Sequence, residues 1–132
     1  MALEIERRFL IKNDNWREFV TNRTFIEQGY LSKNLDDWII RIRFTGKDFK
    51  IALKKHIASF TNFEFEYSIP QKDGETIMSN LSNTIKKERF FLEIEKKSWI
   101  IDCFKGNNYP LEIAEIELSS DCLLYTSPSP RD

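Results

Sequence analysis

Apolar and charged residues alternate with period two from one end of this chain to the other, which argues for antiparallel strands joined by polar turns. Only 4 Gly and 4 Pro punctuate its 132 residues. The alternation predicts strands over 3–11, 24–32, 38–45, 49–57, 62–69, 87–96, 99–105 and 111–119. Lys97-Ser98 and Gly106-Asn107-Asn108 read as the turns between the last three. Two segments read as helix. One is 13–20, where Asn13 or Asp14 can cap the first turn. The other is 73–85, behind Pro70, where Ile77, Leu81 and Ile85 recur at four-residue spacing and Gly74 weakens only the start. There is no internal repeat.

A chain of this length is one domain. Its 11 Phe, within 14% aromatics, can bury a core, so it is not a disordered tail. Its 20 Lys and Arg against 21 Asp and Glu leave a net charge of -1, without the uniform basic field that non-specific nucleic-acid binding requires. No apolar run approaches the roughly 18 residues that cross a bilayer, and acids occupy the first twelve residues where a secretory leader carries only bases. These features predict a cytosolic protein that binds neither nucleic acid nor membrane. Cys103 and Cys122 make no disulfide framework and lack metal spacing, so both read as reduced thiols.

Successive strand side chains point to opposite faces, so each strand sorts into two columns. Glu4, Glu6 and Arg8 oppose Leu3, Ile5, Phe9 and Ile11, with Arg7 alone on the apolar side. Arg41 and Arg43 oppose Ile40, Ile42 and Phe44; Lys50 and Lys54 oppose Ile51 and Leu53. Glu64 and Glu66 oppose Phe63, Phe65 and Tyr67, while Glu115 and Glu117 oppose Ala114, Ile116 and Leu118. Lys87 and Arg89 also share a face. One charged strand face is ordinary solvent exposure. A run of them, with charges where Ser, Thr and Asn would normally mix, points to faces that converge inside a closed or nearly closed sheet.

Such an interior holds a basic set (Arg8, Arg41, Arg43, Lys54, Lys87, Arg89) and an acidic set (Glu4, Glu6, Glu64, Glu66, Glu115, Glu117). Desolvated charges must be paired or meet ligands of opposite sign. Clustered Arg and Lys suit a polyanion with many oxygens, phosphate chains above all. Carboxylates without a His or Cys cluster suit a hard divalent cation, Mg²⁺ or Mn²⁺ rather than Zn²⁺. His56 reads as an exposed edge residue; Trp16, Trp38 and Trp99 read as packing.

Glu4-Ile5-Glu6-Arg7-Arg8 resembles the N-terminal Glu-x-Glu-x-Lys signature of the CYTH superfamily, the triphosphate tunnel metalloenzymes, with Arg8 in the place of the usual Lys. The similarity continues in order through Gln28-Gly29-Tyr30-Leu31, Arg41-x-Arg43, Lys54, Glu64-x-Glu66, Lys87-x-Arg89, Asp102 and Glu115-x-Glu117. It covers residues 1 to about 121. The resemblance implies an α+β, mainly antiparallel fold: an eight-stranded tunnel-like barrel with helices packed outside. It implies triphosphate held by the basic set and Tyr30, and a divalent metal held by Glu4, Glu6, Glu115, Glu117 and Asp102. Asp102 is the less secure ligand, because its strand alternates poorly and Cys103 fits the polar face equally by register. Lys87 is a candidate to orient or deprotonate the attacking water if burial among cations depresses its pKa.

The expected function is metal-dependent hydrolysis of a small-molecule triphosphate, inorganic tripolyphosphate foremost. An adenylate cyclase, a non-catalytic polyphosphate-binding module and a strand-rich interaction domain are the alternatives, and the oligomeric state stays open, a homodimer being one option. Residues 122–132, with two Ser-Pro steps and no periodicity, read as a loose tail. They resemble a translated sequencing adapter. That reading cuts the native frame near Asp121, leaves the barrel open at an edge, and predicts a less stable product with weakened or lost activity.

Overall fold

The computed structural model describes residues 3–34 and 36–117. Its strands are β1 (Leu3–Leu10), β2 (Val20–Lys33), β3 (Ile39–Phe44), β4 (Phe49–Ala58), β5 (Thr61–Ile69), β6 (Ile85–Ile94), β7 (Lys97–Phe104) and β8 (Glu112–Glu117). One helix, α1 (Gln71–Ser79), separates β5 from β6. All neighbouring strands pair antiparallel, in the order β1-β5-β4-β3-β2-β6-β7-β8. The sheet closes. β8 pairs with β1 from Glu6 opposite Glu117 to Leu10 opposite Ile113, so the expected open edge is absent from the described residues. The tail at 122–132, Cys122 and residues 118–119 of the last expected strand lie outside them.

The barrel is apolar on its outer face. Phe9, Phe90, Leu92, Trp99, Ile101, Ala114 and Ile116 from β1, β6, β7 and β8 form a buried cluster, and Cys103 belongs to it. This places Cys103 with the core and settles the register in favour of Asp102 for the opposite face. The cluster is capped by a 3₁₀ turn, Asn15–Phe19, whose Trp16 is buried with its ring 5.2 Å from that of Phe90. The turn begins where the Asn13 side chain accepts a hydrogen bond from the Asn15 N–H at 2.9 Å. It is shorter than the helix expected over 13–20, because β2 already starts at Val20. Each large apolar side chain so buried contributes ~1.5–3 kcal/mol, which offsets the cost of the charges inside.

Helix α1 covers another part of the outer face. Its buried Gly74 sits so close to Phe49 that an added Cβ would lie 2.2 Å from the ring. Sequence spacing extends this helix to Ile85, whereas the structure ends it at Ser79 and places Ile85 at the start of β6. Four-residue spacing across that boundary is coincidental. The β6–β7 turn likewise falls on Glu95 and Lys96, both with positive φ (53° and 65°), two residues before the expected Lys97-Ser98. Trp38 packs on the outer face as well, its ring 6.4 Å from Phe63 and 6.2 Å from Phe65.

Candidate functional site

The inner face of the barrel is polar and surrounds a cavity of about 370 Å³. An eight-stranded barrel leaves room for filling side chains or one small ligand. The cavity is lined by Glu4, Glu6 and Arg8 of β1, Tyr30 of β2, Arg41 and Arg43 of β3, and Lys54 of β4. Glu64 and Glu66 of β5, Lys87 and Arg89 of β6, and Glu115 and Glu117 of β8 line it too, with the uncharged Gln28, Ile39, Ala52 and Ile100 between them. Every candidate site residue except Asp102 lies on this one wall. Hollows of 580 and 750 Å³ flank the cavity, but neither contains Arg41, Arg43, Lys87 or Arg89.

Strand register fixes which charges meet. On the acidic side Arg8 stands opposite Glu115 and Glu6 opposite Glu117. The Arg8 guanidinium donates from Nη2 to Glu6 at 3.1 Å and lies 3.1 Å from Glu115 through Nε. Lys54 stands opposite Glu64 and reaches Glu4 at 2.8 Å and Glu64 at 3.3 Å. The carboxylates nevertheless crowd one another. Burial, then Glu115 and Glu4, push Glu6 up to about 7. Burial also raises Glu4, but the Lys54 ammonium outweighs it and holds Glu4 below its usual value.

On the basic side, the four cations Arg41, Arg43, Lys87 and Arg89 share two carboxylates. Asp102 is 2% exposed, opposite Arg89 on the β6–β7 ladder. It accepts from Arg89 Nε at 2.8 Å and Nη2 at 3.0 Å, and lies 2.6 Å from Lys87 Nζ. Arg41 reaches Glu66 only at 3.5 Å, and its buried Nε has no hydrogen-bond partner. Arg43 meets no carboxylate among the ion pairs of the described residues; its partner is the neutral Gln28. Burial and the neighbouring Arg41 and Arg89 bring Arg43 down to about 10. Lys87 falls to about 8, because burial together with Arg89 and Arg43 outweighs Asp102. Cations depressed in this way mark a surplus of positive potential that a multiply charged anion would relieve.

Asp102 pairs with Arg89 and Lys87 and not with the cations that meet Glu4, Glu6 and Glu115. Among the described residues no three His, Cys, Asp or Glu side chains converge on one ion position as they stand. The donors fit a hard cation by chemistry: all are carboxylates, and Glu6 stays crowded by Glu115 and Glu4 despite its contact with Arg8. Arg8 occupies the space between Glu6 and Glu115. His56 is exposed and contacts Asn62 at 3.2 Å, as expected of an edge residue. Sequence reasoning missed Gln28 as a site residue, although its alternation with Tyr30 on one face was the available signal.

No family model matches the chain. An inorganic triphosphatase from Acetivibrio thermocellus is 28% identical over 130 residues, covering 97% of this chain and 82% of that protein. The solved inorganic triphosphatase NE1496 shares 25% identity over 99% of this chain and 84% of its own, with a TM-score of 0.67. In sequence and fold the chain is similar to these inorganic triphosphatases, as the resemblance to the triphosphate tunnel, or CYTH, superfamily implies. The tunnel fold recurs in HpAC1 from Hippeastrum, an adenylyl cyclase candidate with a dominant triphosphatase activity. That structure has a TM-score of 0.71 at 12% identity, over 96% of this chain and 83% of its own.

Proposed function

We propose that this tunnel hydrolyses a triphosphate, inorganic tripolyphosphate first, with a divalent cation. The observation that carries the reading is the four-cation wall that, among the described residues, has only Asp102 and Glu66 as ion-pair partners, facing carboxylates across the same cavity. The inorganic triphosphatase relatives support the same activity. Phosphoryl transfer needs little from a protein beyond positioning and charge neutralisation. Arg41, Arg43 and Arg89 bind the phosphate oxygens, with Arg8 and Lys54 at the boundary with the acidic side. Tyr30, which lines the cavity and whose hydroxyl accepts from Gln28, contributes a further polar contact.

Glu4, Glu6, Glu115 and Glu117 are the residues that would hold Mg²⁺ or Mn²⁺, once Arg8 leaves Glu6 and Glu115 for the anion. A cation there supplies neutralisation of phosphate charge and a lowered pKa for the attacking water. Glu64 keeps Lys54 in place, and Glu66 does the same for Arg41. Lys87, with its pKa brought down to about 8 and its ammonium steered by Asp102, orients the water and takes its proton. In this reading the protein works in the cytosol, where the buried, free Cys103 thiol stays reduced. Among the described residues no helix is long and apolar enough to cross a membrane.

Product analysis tests the activity. Tripolyphosphate, ATP and thiamine triphosphate are each supplied with Mg²⁺ and with Mn²⁺. Orthophosphate release, fastest from tripolyphosphate, is expected; cyclic AMP and pyrophosphate from ATP would establish a cyclase instead. Binding of tripolyphosphate with no turnover would reduce the protein to a polyphosphate-binding module.

A further inference from the structure

Gln28 of β2 is 4% exposed, a neutral amide in a wall rich in charged side chains. Both ends of its amide are engaged. Oε1 accepts from Arg43 Nε at 3.0 Å and Nη2 at 2.8 Å, and Nε2 donates to the Tyr30 hydroxyl at 3.2 Å. The β2–β3 register that sets Gln28 opposite Arg43 also sets Tyr30 opposite Arg41. A guanidinium has donors only, so the amide oxygen must face Arg43 and the amide N–H the phenol. The Tyr30 oxygen is thereby an acceptor, and its own proton is left to donate elsewhere.

The neutrality of this partner has consequences. Asp102 cancels charge on Arg89 and Lys87, and a carboxylate at position 28 would do the same to Arg43. The amide fixes the guanidinium by the same two contacts and leaves its charge uncancelled. Crowding by Arg41 and Arg89 raises the cost of holding Arg43 charged, and an arriving anion recovers that cost.

We propose that Gln28 is a positioning residue for triphosphate: it fixes the Arg43 guanidinium without neutralising it, and it turns the Tyr30 hydroxyl into a donor toward the same anion. This rests on the triphosphate reading above. Gln28 touches no reacting atom, so its effect belongs in ground-state binding.

The test uses sodium tripolyphosphate as ligand and substrate. Kd is measured by calorimetry in metal-free buffer, and KM and kcat with Mg²⁺, for the parent chain, Gln28→Glu and Gln28→Met. Gln28→Met is also placed in an Arg43→Met background, and thermal melts report folding. Both single variants are expected to raise Kd and KM roughly tenfold or more while kcat stays within about twofold. In the Arg43→Met background the Gln28→Met effect should shrink to the part carried by Tyr30, because the guanidinium that Gln28 fixes is gone. If Gln28→Met does not fold, the isosteric Gln28→Glu carries the test. Parent turnover with unchanged Kd and KM in the variants, or an undiminished Gln28→Met effect beside Arg43→Met, overturns the positioning role alone. A parent chain that neither binds nor turns over tripolyphosphate overturns this role and the triphosphate reading together.

Discussion

Asp102 and Arg89 face each other across the β6–β7 ladder, and both Asp102 oxygens accept from the one guanidinium, at 2.8 and 3.0 Å. The same carboxylate lies 2.6 Å from Lys87 Nζ. One buried anion thus holds two buried cations that would otherwise repel, and holds them on the wall facing Glu4 and Glu6.

Removing that anion should be costly. Asp102→Asn leaves two buried cations short of a partner, and breaking such a pair costs ~3–5 kcal/mol. Chemical denaturation should show that loss, with part of it restored by added tripolyphosphate, which supplies negative charge to the same wall. A variant as stable as the parent would contradict the role given to Asp102.

The pH dependence follows from Lys87. Its folded pKa, about 8, lies below the ordinary lysine value, because burial with Arg89 and Arg43 outweighs Asp102. Between that pH and about 10.5 the unfolded chain binds a proton that the folded chain does not, so this group makes stability rise with pH across the window. The contribution is at most ~3 kcal/mol. Urea unfolding from pH 7.5 to 10.5 should show a steeper rise in the parent than in Lys87→Met; parallel curves would contradict the shift. In turnover, kcat should rise through about pH 8 and lose that limb in Lys87→Arg.

At Gly74 two effects oppose. Alanine is the better helix former by ~1 kcal/mol, but its Cβ would lie 2.2 Å from Phe49 Cγ. Overpacking of this kind costs ~1–3 kcal/mol, so Gly74→Ala should lower Tm with no change in KM. A raised Tm would mean that α1 can shift off β4 freely.

The acidic wall predicts a ligand effect without turnover. Mg²⁺ or Mn²⁺ at about a hundred times its Kd should stabilise the parent by ~2.7 kcal/mol. Glu6→Gln should lose most of that gain, since burial beside Glu115 and Glu4 makes the Glu6 charge costly to hold and a cation would relieve it. Equal stabilisation of both would place the cation elsewhere.

The two-column pattern made the strands and the inner wall legible, because a period of two survives any closure of the sheet. Which charges meet was not legible. Arg89 with Asp102, and Arg8 with Glu115, depend on pairing between strands distant in sequence. Asp102 was therefore found without its role. Gln28 escaped because a neutral residue breaks no charge pattern, although it faces the same cavity. The Glu95-Lys96 turn escaped because both residues hold positive φ without a Gly or Asn to announce it. Ile85 was assigned to the helix because the end of α1 at Ser79 carries no Gly stop and the next strand resumes apolar residues.

The central claim is that the cations and carboxylates of one tunnel act together on a triphosphate. Orthophosphate release from tripolyphosphate with Mg²⁺, compared between the parent chain and the double variant Glu4→Gln with Glu6→Gln, tests it most directly. The account predicts turnover in the parent and a loss of at least about a hundredfold in kcat/KM in the variant, with tripolyphosphate binding retained. Equal turnover by the two chains, or none by the parent, would contradict it.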